Sequence, residues 1–225
     1  MICALVKMTQ PIQLALRPRT WGGRRLGAGR KASGRKVGVP HRTRPAHVAR
    51  HPVHVTLRAE RSLPSLRGDR LFPLLRSGLA QSSRRGLRVL HFSVQTDHLH
   101  LIVEVESREA LSRGLQGLAI RLAKRVNRVL GRGGRLWSDR YHARPLRTPR
   151  EVRNALVYVL TNFKKHVRGA CGLDPYSSAS WFDGWKRSSS KPSAPSPFAR
   201  AGTWLARVGW RRYGLLEIAE RPGGA

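Results

Sequence analysis

The sequence predicts an α+β domain with an antiparallel sheet in the ferredoxin-like order βαββαβ, followed by one further helix. Three observations predict this fold. Between residues 54 and 163, segments in which every second residue is apolar alternate with segments in which apolar residues recur every three or four positions, as in a helix. Two neighbouring strand runs are separated by only two turn residues, and two helices begin with capping signals.

The first half of the predicted domain contains one strand, one helix and a hairpin. The run His54–Arg58 is predicted as the first strand, and residues 66–83, with leucines at helical spacing, as the first helix. Residues 87–95 and 98–106 are apolar-rich runs separated by the dipeptide Thr96–Asp97. This arrangement predicts a β-hairpin.

The second half adds a long helix, a strand and a last helix. Ser107 is the predicted N-cap of the long helix, and the glycine-rich residues 131–134 end it. One face of this helix carries the stripe Leu111, Leu115, Leu118, Leu122 and Val126. Residues 136–147 predict the fourth strand, and Thr148 and Pro149 are typical of a helix start.

Charge indicates the kind of partner. The 225 residues include 44 Lys and Arg against 12 Asp and Glu, which gives a net charge of +32 and a pI near 12. Such a surface attracts polyanions, so nucleic acid is the expected partner. Cys3 and Cys171 form no CxxC pair, which excludes a cysteine zinc cage and predicts a reducing compartment, the cytoplasm at the nucleoid. No membrane segment is predicted.

The two ends differ in composition from the domain between them. Residues 1–50 are predicted to be a disordered basic arm, because no acidic residue occurs before Glu60. The arm residues expected to contact DNA are Arg24, Arg25, Arg30 and Lys31. Phosphate binding without sequence preference is favoured over an AT-hook, which would need Gly-Arg-Pro. Residues 51–187 are the predicted catalytic domain, and residues 188–225 a polar linker with a short docking segment.

A histidine pair lies in the second strand of the hairpin. His98 and His100 are two residues apart on a strand, so both imidazoles project from one face while Leu99 projects from the other. This geometry suits two ligands of one divalent metal, although two histidines alone do not choose the metal. Two ordinary surface histidines would show the same spacing.

A tyrosine and an asparagine lie on the last helix. Val152, Leu156, Val159 and Phe163 have the spacing of a buried stripe, and Tyr158 lies away from its centre. Asn162 follows one turn later, so a hydroxyl and a side-chain carbonyl can reach the same site. The alternative is a tyrosine that packs at the helix edge beside an asparagine near the helix end.

These motifs together resemble the HUH single-tyrosine transposases, that is, the IS200-like transposases and the REP-associated tyrosine transposases. The resemblance covers about Pro52 to Trp185 and depends on three segments in order, namely His98-Leu-His100, Leu136-Trp-Ser-Asp-Arg-Tyr-His142 and Val157-Tyr-Val-Leu-Thr-Asn162. It implies that His98 and His100 bind the metal, that Tyr158 is the nucleophile, and that Asn162 completes the metal site. Phe163 departs from the family pattern, in which a proline often follows.

The resemblance also implies an activity. A transposase of this kind nicks and rejoins single-stranded DNA through a 5′-phosphotyrosine, with Mg²⁺ or Mn²⁺ as the metal. The expected partner is hairpin-forming single-stranded DNA, and both a monomer and a homodimer are compatible with the family. Basic residues of the domain expected to contact the DNA are Arg121, Lys124, Arg125, Arg140 and Arg144.

The sequence also permits other interpretations. Tyr141 is a rival nucleophile, although it lies on a predicted strand without a polar partner at helical spacing. A domesticated protein of the same fold could bind nucleic acid without cleaving it. A two-histidine phosphoesterase is disfavoured, because it needs two separated His-x-Thr/Ser motifs and the chain has a single His-x-His.

Overall fold

The computed structural model describes residues 46–82, 87–166, 169–186 and 195–223. Its strands and helices are, in chain order, β1 (Val53–Arg58), α1 (Phe72–Ser82), β2 (Arg88–Val94), β3 (His98–Glu104), α2 (Arg108–Leu130), β4 (His142–Pro145), α3 (Pro149–Thr161), α4 (Phe163–His166) and α5 (Trp204–Arg207). Two short 3₁₀ helices span Ala179–Trp181 and Gly209–Tyr213. Within these ranges, none of the helices has the length and apolarity to span a bilayer.

The four strands form one antiparallel sheet in the order β2-β3-β1-β4. β3 therefore lies between β1 and β2, as in a split βαβ unit. The predicted ferredoxin-like order βαββαβ with an appended helix is confirmed.

Each strand alternates its side chains between two faces of the sheet. α1 and α2 pack on one face, which we call the helix-pair face, against residues such as Val55, Leu57 and Leu101. α3 packs on the opposite face against Leu90 and Ile102. The sheet is thus covered on both sides, and the residues of β1 and β3 that point toward α3 lie beneath that helix.

Both long helices begin at the predicted caps. Ser107 accepts a hydrogen bond from the Ala110 N–H at the start of α2, and Gly131 ends this helix with a φ of 62°. Thr148 and Glu151 form a capping box at the start of α3. The start of α3, and hence the placement of its side chains, is fixed locally.

Two elements are shorter than the sequence predicts. The first helix begins at Phe72 and not near Leu66, because the preceding segment binds the hairpin instead: the Leu66 N–H donates to Thr96 O, and the Arg67 guanidinium donates to Val94 O at 2.8 Å. The fourth strand is restricted to His142–Pro145, and the residues before it join the sheet only through a bridge between Ala59 and Trp137.

A buried carboxylate attaches the C-terminal segment to the sheet. Glu104, at the end of β3, is 3% exposed. It accepts hydrogen bonds from the Gly202 N–H at 2.9 Å and from the N–H and hydroxyl of Thr203 at 2.9 and 2.7 Å. It also pairs with Arg88 at 3.3 Å. These contacts hold the start of α5 beside β3.

Replacing Glu104 by Ala is expected to lower the free energy of unfolding by about 2–3 kcal/mol, because several hydrogen bonds to one charged group are removed together. Urea unfolding followed by circular dichroism measures the change. Glu106→Ala is the matched control, since Glu106 is exposed two residues later and its removal is expected to cost under about 0.5 kcal/mol. Equal midpoints for the two variants would contradict the anchoring role of Glu104.

Candidate active site

The pairing of β1 with β3 brings polar side chains together on the sheet face that α3 covers. Thr56 is paired with His100 and Arg58 with His98, while the intervening Leu57 and Leu99 point to the core under α1 and α2. Paired residues in an antiparallel sheet project to the same side. We call this surface the histidine face. The prediction that both histidines share one face is confirmed by this register.

Each histidine of the pair is held by a polar neighbour. Nδ1 of His98 lies 2.6 Å from Asp97 Oδ1, and Nδ1 of His100 lies 3.1 Å from Thr56 Oγ1. Asp97 also accepts hydrogen bonds from Arg58 at 3.2 and 3.0 Å. The two imidazole centroids are 4.6 Å apart, with the rings nearly perpendicular. Such second-sphere contacts fix the orientation of ligating imidazoles in metal sites.

The carboxyl of Asp97 stays ionised beside this pair. Partial burial by itself raises its pKa, but hydrogen bonds from His98 and Arg58, together with their charges, outweigh burial and hold the pKa below its ordinary value. The anionic Asp97 therefore accepts a hydrogen bond from an N–H of His98 at Nδ1.

Tyr158 lies over the histidine face. The stripe predicted for its helix is buried as expected, at Val152, Leu156, Val159 and Phe163. Tyr158 is only half-buried, and its ring centroid lies 4.9 Å from that of His100 and 5.7 Å from that of His54. Burial raises the pKa of Tyr158, so its hydroxyl is protonated at neutral pH. Lys165 Nζ lies 5.2 Å from the ring centroid.

Asn162 is a buried amide at the end of α3. It is the C-cap residue of the helix, one turn after Tyr158, and is 1% exposed. Neither Oδ1 nor Nδ2 of Asn162 has a hydrogen-bond partner in the described part of the chain. Buried amides are almost always satisfied, so water or a bound ion is the expected partner of this one.

His54 is a further histidine of this face that sequence reasoning missed. It lies in β1 two residues before Thr56, and its ring centroid is 5.4 Å from that of His100. Burial, assisted by the charges of His142 and Arg144, lowers its pKa to about 4, so its imidazole is neutral. The signal was available: His54-Val-Thr56 shows the same alternation as His98-Leu-His100.

A cavity gives access to the tyrosine. It has a volume of about 530 Å³ and is lined by Tyr158 and His54 together with the basic residues Arg144, Arg153 and Arg221. Arg144 is paired with Glu151 at 3.0 Å and Arg153 with Glu220 at 2.8 Å. Glu151 and Glu220 also line the cavity, so three arginines against two carboxylates leave its lining with a net charge of +1.

Tyr141 lies elsewhere. It lines a cavity of about 620 Å³ together with Leu57, Leu115 and Trp137, which belong to the helix-pair face. Trp137 is fixed there, since its indole N–H donates to Ala119 O at 3.0 Å. The structure therefore places Tyr158, and not Tyr141, beside the histidines.

The basic residues predicted to contact DNA fall into three groups. Arg140 and Arg144 are exposed at or beside β4, and Arg144 borders the Tyr158 cavity. The second group is the three cations of α2, on the helix-pair side. Lys124 is exposed there. Arg121 donates to Ser82 Oγ at 2.6 Å, and Arg125 binds Ser77 and Gln81 of α1. Arg24, Arg25, Arg30 and Lys31 lie outside the described residues.

No cluster of three or more His, Cys, Asp or Glu side chains with metal-binding geometry occurs among residues 46–82, 87–166, 169–186 and 195–223. The candidate donors are therefore two imidazoles and an amide. Mn²⁺ binds both amide oxygen and imidazole nitrogen, whereas Mg²⁺ prefers oxygen to nitrogen ligands.

The described chain thus combines a ferredoxin-like sheet with a strand histidine pair that lies under a helix tyrosine. Residues 48–161 match the sequence model of the family described as "Transposase IS200 like", which covers half of the chain. The chain belongs to this family. Membership gives it a transposase-type function.

Structural comparison agrees on the fold. The chain is similar to a solved structure described as the REP-associated tyrosine transposase bound to a REP hairpin, with a TM-score of 0.50 and 17% sequence identity. The similarity covers 62% of this chain and 82% of the other. Comparison with curated protein sequences gives no significant match.

Proposed function

We propose that this chain is a metal-dependent enzyme that cleaves and rejoins single-stranded DNA with Tyr158 as the nucleophile. The observation that carries the proposal is the position of the Tyr158 ring, 4.9 Å from His100 on the histidine face. A tyrosine ring and two oriented imidazoles have no evident structural reason to meet beneath one helix.

A divalent ion, Mg²⁺ or Mn²⁺, would be held by His98, His100 and Asn162. The donor set supports this assignment, because Asp97 and Thr56 hold the Nδ1 atoms of the two imidazoles and direct ligation to Nε2. When bound, the ion supplies charge stabilisation for the oxygens of a scissile phosphate. Asn162 contributes a neutral oxygen and is the weakest of the three donors.

The proposed cleavage reaction at Tyr158 requires no reactant other than the protein and the DNA. Its hydroxyl oxygen attacks phosphorus and loses its proton as the new O–P bond forms. The bond from phosphorus to the 3′ oxygen breaks, and that oxygen leaves and takes up a proton. The 5′ end of the DNA is then linked to Tyr158. Attack by another 3′-hydroxyl on the phosphotyrosine reverses these steps, so rejoining requires no ATP.

The proposed substrate is hairpin-forming single-stranded DNA. The structural neighbour is described as bound to a REP hairpin, which supports a hairpin for this chain as well. The net charge of +32 favours a polyanion of this kind.

Incubation with a library of single-stranded hairpins that carry randomised flanks tests the proposal. With Mn²⁺ or Mg²⁺ the protein is expected to form a covalent complex with the 5′ end of cleaved strands, and EDTA is expected to prevent it. A fully paired duplex library is the control substrate. Tight hairpin binding without any covalent complex would instead identify a DNA-binding protein that does not cleave.

Deleting residues 1–45 is expected to weaken DNA binding of every sequence tested and to flatten its salt dependence. The segment contains no acidic residue, and fewer phosphate contacts release fewer counterions. The deletion ends before His47, whose Nε2 lies 2.9 Å from Val105 O, so this contact to the domain is retained. Fluorescence anisotropy across a salt series measures the slope. Identical affinity and slope in both proteins would exclude the arm as a DNA contact.

A further inference from the structure

A second cavity opens at the sheet edge formed by β2, where residues from both faces of the sheet line it. It has a volume of about 650 Å³, within the range of pockets that bind small ligands. We call it the β2 cavity. Leu90 and His91 line it from β2, and residues between Ser178 and Arg211 supply the rest, beyond the segment that matches the transposase family.

A β-bulge directs His91 into this cavity. The register of β2 against β3 shifts between Val89 and His91, so that Leu90 has no partner of its own. Val89 points to the helix-pair face and Leu90 to the α3 side, and the His91 ring packs edge-on against Phe182, 5.2 Å between centroids. In a regular strand without the bulge, the side chain of His91 would point to the helix-pair face, like that of Val89.

The His91 ring is oriented and uncharged. Its Nδ1 lies 3.4 Å from Ser178 Oγ, and that hydroxyl accepts the Phe92 N–H at 3.0 Å. Burial lowers the pKa of His91 to about 4, although the nearby carboxylate of Asp183 acts in the opposite direction. With Nδ1 facing Ser178, a neutral imidazole offers the edge of a nucleobase a single hydrogen bond, through Nε2.

Aromatic rings form the walls of the β2 cavity. Phe182 and Trp210 lie 5.5 Å apart, Trp181 and Phe198 5.6 Å apart, and the indole N–H of Trp210 is fixed by Ala206 O at 3.0 Å. Trp181 is partly exposed. Phe182, Phe198 and Trp210 are buried, so Trp181 is the ring of this set that can serve as a platform for an unstacked base.

The rim of the cavity is basic. Arg200 and Arg207 are exposed there, and neither has an acidic partner among the residues that the structure describes. Arg211, the third arginine, is paired with Asp183 at 3.0 Å. Two uncompensated guanidinium groups above aromatic walls match a nucleotide, whose base is flat and whose phosphate is anionic.

We propose that the β2 cavity binds one unstacked nucleotide of the single-stranded DNA, with its base against Trp181 and a flanking phosphate at Arg200 and Arg207. The inference rests on the proposed function for the choice of DNA. His91 is paired with Ile102, two residues after His100 on the same side of β3, or roughly 7 Å along the strand. The Tyr158 cavity is lined from β1 and β4 by His54 and Arg144, so a DNA strand that occupies both cavities would have to pass α3 to reach the β2 edge.

Photocrosslinking tests the position of the base. The full chain, in EDTA to prevent cleavage, is irradiated with an oligothymidylate of about twelve nucleotides that carries one 5-iodouracil, and the crosslinked peptides are mapped. Crosslinks are expected at the aromatic wall, at Trp181 or Phe198, because the iodinated base couples to rings on which it stacks. Crosslinks confined to residues outside the β2 cavity would overturn the proposal.

Binding of the same oligonucleotide tests the rim. Arg200→Ala with Arg207→Ala is expected to weaken affinity about tenfold and to reduce the salt slope by about 0.7 units, the value for one phosphate of a single strand that is no longer neutralised. Arg212→Ala is the matched control, since Arg212 is exposed in the same segment and lies over Trp204, outside the cavity. Equally weakened binding in the double variant and the control would overturn a specific contact.

The outcomes separate this inference from the proposed function. Crosslinks in the β2 cavity without any covalent adduct at Tyr158 would support the cavity and contradict the nuclease. An adduct at Tyr158, together with unchanged binding in the Arg200 and Arg207 variant, would support the nuclease and contradict the nucleotide site in the β2 cavity. Inorganic polyphosphate is the competitor: if it displaces the oligonucleotide and no aromatic crosslink forms, only a phosphate contact exists and the base site is refuted.

Discussion

Replacing Tyr158 by Phe is expected to abolish the covalent protein–DNA complex and to lower the rate of strand cleavage by roughly 10³-fold or more, because the attacking oxygen is removed. DNA affinity should change by less than about twofold, since the aromatic ring and its contact with His100 are retained. Denaturing gels with an end-labelled hairpin measure the adduct, and anisotropy without metal measures binding.

Tyr141→Phe is the matched control for this change. Tyr141 lies in the cavity on the helix-pair face, so its variant is expected to form the adduct at the normal rate. An adduct that persists in Tyr158→Phe and disappears in Tyr141→Phe would reverse the assignment of the nucleophile.

Replacing His98 or His100 by Ala is expected to remove metal-dependent cleavage, whereas Asn162→Ala should raise the Mn²⁺ concentration needed for half-maximal rate by about tenfold. An imidazole contributes more than a neutral amide oxygen to a manganese site, and water can occupy the position that Asn162 vacates. Cleavage rates across a Mn²⁺ titration give the order of the three effects.

Two comparisons make this order specific. Asn162→Asp adds a charged oxygen at the same position and is expected to restore or tighten Mn²⁺ binding relative to Asn162→Ala. Thr56→Val keeps the shape of the neighbour of His100 but removes its hydroxyl, and is expected to weaken metal affinity mildly through the orientation of that ring. An Asn162→Ala titration that superimposes on the unaltered protein would exclude Asn162 as a ligand.

Much of the fold follows from local patterns. Ser107 and Thr148 cap their helices as predicted, and the alternation through His98 and His100 gives the correct face, because these features depend on a few neighbouring residues. The predicted first helix starts too early. Its leucines have helical spacing, but the Leu66 N–H binds Thr96 O, and the sequence pattern does not reveal a contact between residues so far apart in the chain.

The candidate site was accessible to sequence reasoning only in part. His98, His100, Tyr158 and Asn162 follow from strand and helix periodicity together with the resemblance to a family. His54 shows the same alternation in the sequence, but its contact with the His100 ring depends on the pairing register of β1 with β3. The β2 cavity depends on a bulge and on packing of the C-terminal segment, neither of which leaves a periodic signal.

Mass spectrometry of the covalent complex tests the central claim most directly. The protein is incubated with the hairpin library and Mn²⁺, digested with nuclease and protease, and the peptide that retains a nucleotide is sequenced. We expect a 5′-phosphate ester on Tyr158 and on no other tyrosine. A nucleotide on Tyr141, or cleaved DNA with no nucleotide on any tyrosine, would contradict Tyr158 as the nucleophile.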